Sequence, residues 1–358
     1  MASVIEQCQV APPPGGAAEV RLPLTYFDLV WLGFQYRIRR ILFYKLPISK
    51  PHFVQNIIPP LKNSLSLTLK HDTPLAGNIA RPLDTNGYPE LRYVTGDSVS
   101  LGEPKDAPRV QLAPVLAIQV TLFPNLGVSI GFTNHHVVGD GATIVGFIRA
   151  WALLHKFGGD EQFLSNELIP FYDRSVVKDP YGQGMFIWEE MKKKNLDMRD
   201  IMTPPPEHKV RGTLITIRRD DIEKLKNLIL KSRRQGSSTT LTHVTSFTVT
   251  CAYVWSCLIK SKDAIGEEMI IDDSVIMESF GCAGDFRARF NPPLPQSYFG
   301  NCIVGCVTRS IRHVDLVGKE GFEIAVELIG EVIKKKMKDE EWVLNGDWLK
   351  ELNNVLKV

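Results

Sequence analysis

Asn134-His135-His136-Val137-Val138-Gly139-Asp140-Gly141 is the stretch from which the architecture unfolds. It closes two alternating runs. From Ile118 to Leu122 apolar residues alternate with Gln119 and Thr121, Pro124 to Gly127 supplies turn residues, and Val128, Ile130 and Phe132 alternate again. That pattern predicts an antiparallel hairpin. Strand parity places His136 on the face of Val128, Ile130 and Phe132, with His135 on the other. Gly139 and Gly141 then allow a sharp turn into a helix from Ala142 to Phe157, whose buried stripe is Ile144, Phe147, Ile148 and Trp151. A histidine fixed at a strand end suits a general base, although a hydrogen-bonded core histidine fits the same pattern. Asp140, just ahead of a helix, has the place of an N-cap. The two residues have no third ligand within sequence reach, so zinc is not expected, and no GxSxG elbow supports a serine hydrolase.

Outward from this stretch, Leu61, Leu65 and Leu69 in LKNSLSLTLKH predict an amphipathic helix that stops before Pro74 and Gly77. From Ser165 to Val210 the pattern fades into charged and proline-rich sequence. A strand over Gly212 to Ile217 follows, then a helix opened by Asp220 or Asp221, and a buried helix around Phe247 to Leu258. Strands are expected near Val275 to Phe280 and from Asn301 to Val307. Phe322, Leu328, Ile329, Val332 and Ile333 mark a last amphipathic helix. The reading is α/β with antiparallel or mixed sheets, without a GxGxxG or P-loop signature. Its expected divisions are a first domain over 1–165, a crossover over 166–210 and a second domain over 211–358.

The 358 residues carry 42 Lys and Arg against 40 Asp and Glu, a net charge of +2. That balance gives no electrostatic case for nucleic acid or an anionic membrane. Met1 to Val20 shows no targeting pattern, and the uncharged run Gln235 to Ile259 is too rich in Ser and Thr for a membrane span. Six cysteines without CxxC spacing fit a reduced, cytoplasmic setting. Lys231, Arg233 and Arg234 form the densest late basic cluster, either a solvated helix end or a phosphate-binding group.

The run HHVVGDG resembles the HHxxxDG signature of CoA-dependent acyltransferases related to chloramphenicol acetyltransferase, and its HxxxD core that of the plant BAHD branch. LPLTYFDLVWL at Leu22 to Leu32, LKNSLSLTLKHDTPLAG, TSFTVTCAYVW at Thr245 to Trp255 and DFRARFNPPLPQSYFGN at Asp285 to Asn301 also resemble that family, in order. Tyr298-Phe299-Gly300-Asn301-Cys302 resembles the clade that acylates sugars of anthocyanins and phenolic glucosides. The resemblance implies a two-domain chloramphenicol-acetyltransferase-like fold with mixed sheets flanked by helices, here with its second domain incomplete. It implies an acyl-CoA-dependent O-acyltransferase moving malonyl or hydroxycinnamoyl to a sugar hydroxyl of a phenolic or flavonoid glucoside. His136 would be the general base, Asp140 a structural support paired with Arg287, and Gly300 and Asn301 would line the substrate channel. Lys231, Arg233 and Arg234 would meet the CoA phosphates. Acyl-CoA, with malonyl-CoA foremost, is the implied co-substrate, with no permanent cofactor or metal and a monomeric chain.

Three departures accompany the likeness. No Asp-Phe-Gly-Trp-Gly motif occurs, the stretch from Ser100 to Leu116 is shorter than in the family, and Asp72 stands where the helix-end motif has an aromatic. They leave a second reading, a shortened and weakly active or inactive paralogue that at most binds CoA or a partner. A condensation-type or dehydrogenase-complex acyltransferase is disfavoured, because no carrier region is present.

Overall fold

The computed structural model describes residues 4–16, 18–32, 37–81, 88–101, 113–193, 216–234, 244–265 and 276–356. The chain divides into two compact units, Met1–His208 with Pro293–Cys302, and Lys209–Pro292 with Ile303–Val358. The ten residues at 293–302, expected with the second domain, thus belong to the first. Their backbone is the reason: Phe171 N–H donates to Ser297 O, and Phe299 N–H donates back to Phe171 O.

Among the described residues the first unit holds two sheets. Its strands are β1 (Cys8–Val10), β2 (Glu19–Pro23), β3 (Arg37–Lys45), β4 (Asn78–Ala80), β5 (Glu90–Val94), β6 (Val99–Leu101), β7 (Ala113–Pro114), β8 (Leu116–Phe123) and β9 (Gly127–His135). A five-stranded sheet runs β1-β6-β8-β9-β3 and a four-stranded one β2-β5-β4-β7. β6 and β8 are parallel while β8 and β9 are antiparallel, so the larger sheet is mixed. The β8–β9 hairpin forms where the alternation predicts it, with Leu122 opposite Val128. Asn125 takes a positive φ of 60° in its turn, a conformation that asparagine tolerates better than most residues.

The helices of this unit are α1 (Tyr26–Leu29), α2 (Ile58–His71), α3 (Gly141–Lys156) and α4 (Gln183–Lys193), beside shorter turns. α2 buries Leu61, Leu65 and Leu69, and α3 buries Ile144, Phe147 and Trp151, in one core with Ile118 and Phe132. Trp151 Nε1 donates to Ser64 Oγ at 3.0 Å, so the indole's polar edge is satisfied inside that core. α4 falls inside the stretch expected to be a crossover. Its Trp188 nevertheless packs into the same core, edge-on to Tyr88.

The second unit has helices α5 (Arg219–Arg234), α6 (Ser246–Ile265), α7 (Gly321–Lys336) and α8 (Asp347–Leu356). Val249, Ala252, Trp255 and Ile259 of α6 pack with Ala325, Val326, Leu328 and Ile329 of α7. α5 starts before Asp220, so Asp220 and Asp221 lie in its first turn, where carboxylates favour the positive helix end. Phe247, Tyr253 and Leu258 are exposed, so α6 is buried on one face only. The strands are β10 (Met277–Glu278), β11 (Gly281–Asp285), β12 (Ile303–Val307) and β13 (Ile311–Arg312), paired β11–β12 and β10–β13. The strand expected over Val275 to Phe280 shrinks to β10, and most of the one expected over Gly212 to Ile217 lies outside the described residues. No described helix is long and apolar enough to cross a membrane.

Candidate active site

β9 ends at His135, and His136 opens a 3-10 turn over His136–Val138. The parity argument therefore overextends the strand by one residue, and it is His135, not His136, that is the more deeply buried of the two. His135 is buried, and its Nδ1 accepts the N–H of Val137 at 3.2 Å. Burial, with Arg37 nearby, pushes it down to about 4, so it is a neutral structural residue.

His136 is half-buried and held on two sides. Its ring stacks on Trp31 with centroids 3.8 Å apart and planes 13° from parallel. Its Nδ1 lies 3.1 Å from Asn301 Oδ1. The orientation of that amide follows from its other atom. Asn301 Nδ2 donates to Asp28 Oδ1 at 3.0 Å, His136 O at 2.9 Å and Val137 O at 3.3 Å, all acceptors. The amide oxygen therefore faces the imidazole, Nδ1 carries the proton, and Nε2 keeps the lone pair. Burial pushes His136 below the usual histidine value, against the opposing pull of Asn301 and Asp140, so the base is neutral at neutral pH.

Asp28 anchors this arrangement. It is completely buried at the start of α1, where Thr25 and Asp28 form a capping box. Oδ1 accepts from the backbone N–H and side chain of Asn301, and Oδ2 from Thr25 and from Arg174 Nη1 at 3.1 Å. Arg174 Nη1 also donates to Tyr298 Oη at 2.9 Å. A chain of contacts thus runs Arg174–Asp28–Asn301–His136 within one unit. Sequence reading singled out His136 and Asn301 but not Asp28, Trp31 or Arg174. The available signal was a lone carboxylate, three residues after Thr25, inside the apolar run YFDLVWL.

Asp140 is the N-cap of α3, as expected. Oδ1 accepts from the N–H groups of Ala142 and Thr143 at 3.0 and 3.3 Å, while Oδ2 accepts from Cys302 N–H at 3.0 Å. Gly139 lies so close to Thr143 that a Cβ would come within 2.6 Å of its methyl, whereas Gly141 has open space. Gly300 adopts φ 135°, and a Cβ there would meet Arg174 Nη1 at 2.2 Å. Gly300 and Asn301, expected along the substrate channel, are both buried; Gly300 O accepts from Thr143 Oγ1 of α3 at 2.9 Å, and Asn301 is bonded to the loop that carries His136. Arg287 lies in the second unit, fully buried, with Asp285 Oδ1 at 3.3 Å. Lys231 is exposed, and the side chains of Arg233 and Arg234 lie outside the described residues.

Asp140→Ala removes a cap and takes away the carboxylate that accepts from the buried Cys302 N–H. The expected loss is about 2–4 kcal/mol of stability, read by denaturant unfolding, together with a lower rate. A pure rate loss with unchanged unfolding would show that Asp140 does not hold the loop.

The chain matches the profile described as "Transferase family" over residues 99–358. It is 66% identical over 99% of its length to phenolic glucoside malonyltransferase 1 of Nicotiana tabacum, covering 83% of that protein. It is 31% identical to a BAHD acyltransferase of Arabidopsis thaliana, over 93% of this chain and 77% of that one. The chain belongs to the BAHD acyltransferase family. BAHD membership makes it an acyltransferase. A second relative, malonyl-coenzyme:anthocyanin 5-O-glucoside-6'''-O-malonyltransferase of Salvia splendens, is 36% identical over 98% of this chain and 78% of that protein. The fold agrees with the crystal structure of vinorine synthase at a TM-score of 0.58 and 18% identity, over 99% of this chain and 80% of that one. It also agrees with F. graminearum TRI101, complexed with coenzyme A and T-2 mycotoxin, at a TM-score of 0.63 and 13% identity, over 91% and 77%. These two likenesses show the BAHD architecture alone.

Proposed function

We propose that this BAHD enzyme transfers the malonyl group of malonyl-CoA to a sugar hydroxyl of a phenolic glucoside. His136 Nε2 takes the proton of the acceptor hydroxyl as its oxygen attacks the thioester carbonyl. The tetrahedral intermediate collapses and expels the CoA thiolate, which recovers the proton from the imidazolium. No covalent acyl-enzyme is required. Asn301, by accepting the Nδ1 proton, keeps the lone pair on the nitrogen that must act and bears part of the charge that develops on the ring.

The observation that carries the malonyl donor is Arg174. Its guanidinium is buried, and its Nε and Nη2 have no hydrogen-bond partner among the described residues. Unused, desolvated guanidinium donors beside the network that holds the base are chemically matched to a carboxylate, which a malonyl group has and an acetyl group lacks. The relatives from tobacco and sage are named as malonyltransferases. Arg287 is kept in this reading as the family's partner for Asp140, and Lys231, Arg233 and Arg234 as cations for the CoA phosphates.

The test is release of free CoA from malonyl-CoA, expected only when a phenolic glucoside is added. Release at the same rate without the glucoside would remove the acceptor from the proposal. Arg174→Lys keeps a charge but not the forked donors. It is expected to lower the preference for malonyl-CoA over acetyl-CoA by about 10–100-fold in kcat/KM. An equal loss with both donors would reduce Arg174 to a partner of Asp28.

A further inference from the structure

The second unit contains a sulfur cluster that acyl transfer does not use. Cys282 of β11 and Cys306 of β12 stand directly opposite each other in the antiparallel register. Opposed residues in such a ladder project from one face with Cα atoms about 4.5–5.5 Å apart. A disulfide needs about 4.4–6.8 Å, so the backbone already offers the required spacing. Cys306 Sγ donates to Met337 Sδ at 3.5 Å, which holds that sulfur on the face it shares with Cys282.

The two sulfurs are not equivalent. Cys282 is half-buried, whereas Cys306 is buried. The neighbouring Cys306 thiol holds the Cys282 thiol below its ordinary range, against the effect of burial, while the Cys306 thiol is pushed up. Lys336 and Arg289 add positive charge near Cys306. The more accessible sulfur is therefore also the better nucleophile, and its neighbour is placed to resolve whatever forms on it.

We propose that Cys282 and Cys306 form a redox-modification site, with Cys282 as the attacking thiol, Cys306 as the resolving thiol and a hydroperoxide as oxidant. The Cys282 thiolate attacks the peroxide O–O bond, forming an S–O bond and leaving hydroxide, so the sulfur becomes a sulfenic acid. Cys306 sulfur then attacks the sulfenic sulfur. The S–S bond forms, the S–O bond breaks, and the leaving oxygen departs as water with the Cys306 proton. In total, two thiols and one hydrogen peroxide give one disulfide and two waters. A dithiol reductant reverses the change.

The experiment uses the full chain and hydrogen peroxide, with denatured thiol titration and mapping of non-reduced peptides. Free thiols should fall from six to four. The mass should drop by about 2 Da, the new cross-linked peptide should join Cys282 to Cys306, and dithiothreitol should restore all the thiols. Cys306→Ser should leave a dimedone-reactive sulfenic acid on Cys282, and Cys306→Ala serves if the serine variant folds poorly. Cys282→Ser should protect Cys306 from oxidation. Three results would each overturn the proposal: a cross-link from Cys282 to Cys251, sulfenylation of Cys282 in the unaltered chain with no bond to Cys306, or oxidation of Cys306 in Cys282→Ser at the original rate.

Discussion

His136→Ala is expected to lower kcat by about 10²–10⁴-fold while the unfolding transition stays close to that of the unaltered enzyme. The reasoning is local. The ring is half-buried at the end of a hairpin whose register is set by other residues, so its removal takes away the proton acceptor more than it takes away the scaffold. The pH profile supplies an independent check. A base must be neutral, and burial holds His136 below the ordinary histidine value. Activity should therefore persist as pH falls to about 6.5, the unperturbed value, and decline only below it. An acid limb centred above that value, or release of CoA from malonyl-CoA and glucoside that survives His136→Ala, would remove His136 from the chemistry.

The second large effect concerns stability. Asp72 follows α2, is 2% exposed, and its Oδ2 has no hydrogen-bond partner among the described residues. It lines a cavity of about 40 Å³ together with Thr143, Phe147 and Phe299. Burial pushes its carboxyl well above the ordinary range. A group whose value rises on folding stabilises the fold fully only below its unfolded value, about 3.9, and that contribution is lost as pH climbs through its folded value. Asp72→Asn should therefore raise the melting temperature at neutral pH, with the gain shrinking toward pH 4. Asp72→Phe, which restores the aromatic that the family motif carries, should add about 1.5–3 kcal/mol, or about 5–10 °C in melting temperature. Equal melting of Asp72→Asn and the unaltered chain at every pH would mean that the carboxyl is not desolvated. A destabilised Asp72→Phe would mean that the cavity cannot open to accept a ring.

What the sequence discloses and what it hides follow from the range of the interactions. The hairpin, α2 and α3 rest on local periodicity, and the Asp140 cap is decided within three residues, so all of these were legible. The roles of Asp28 and Arg174 were not, because each is defined by partners far along the chain: Asp28 meets Asn301 across 273 positions and Arg174 across 146 positions. Asn301 was legible as a motif residue but not as the group that sets a tautomer, which requires knowing three acceptors at once. The placement of 293–302 with the first unit was hidden for the same reason. Nothing in a proline-rich turn announces that its backbone will pair with Phe171.

That ten-residue excursion also orders events in time. His136 and Asn301 are 165 residues apart in the chain, and ribosomes add about 5–20 residues per second. His136 is therefore added to the chain roughly 8–33 s before the amide that orients it. During that interval the hairpin, α2 and α3 can form, but the ring has no acceptor to choose its tautomer. Competence is a late step of biogenesis, reached only when a strand of the second unit is next to be made. A fragment ending at His208 would carry the HxxxD signature without the residue that aims it.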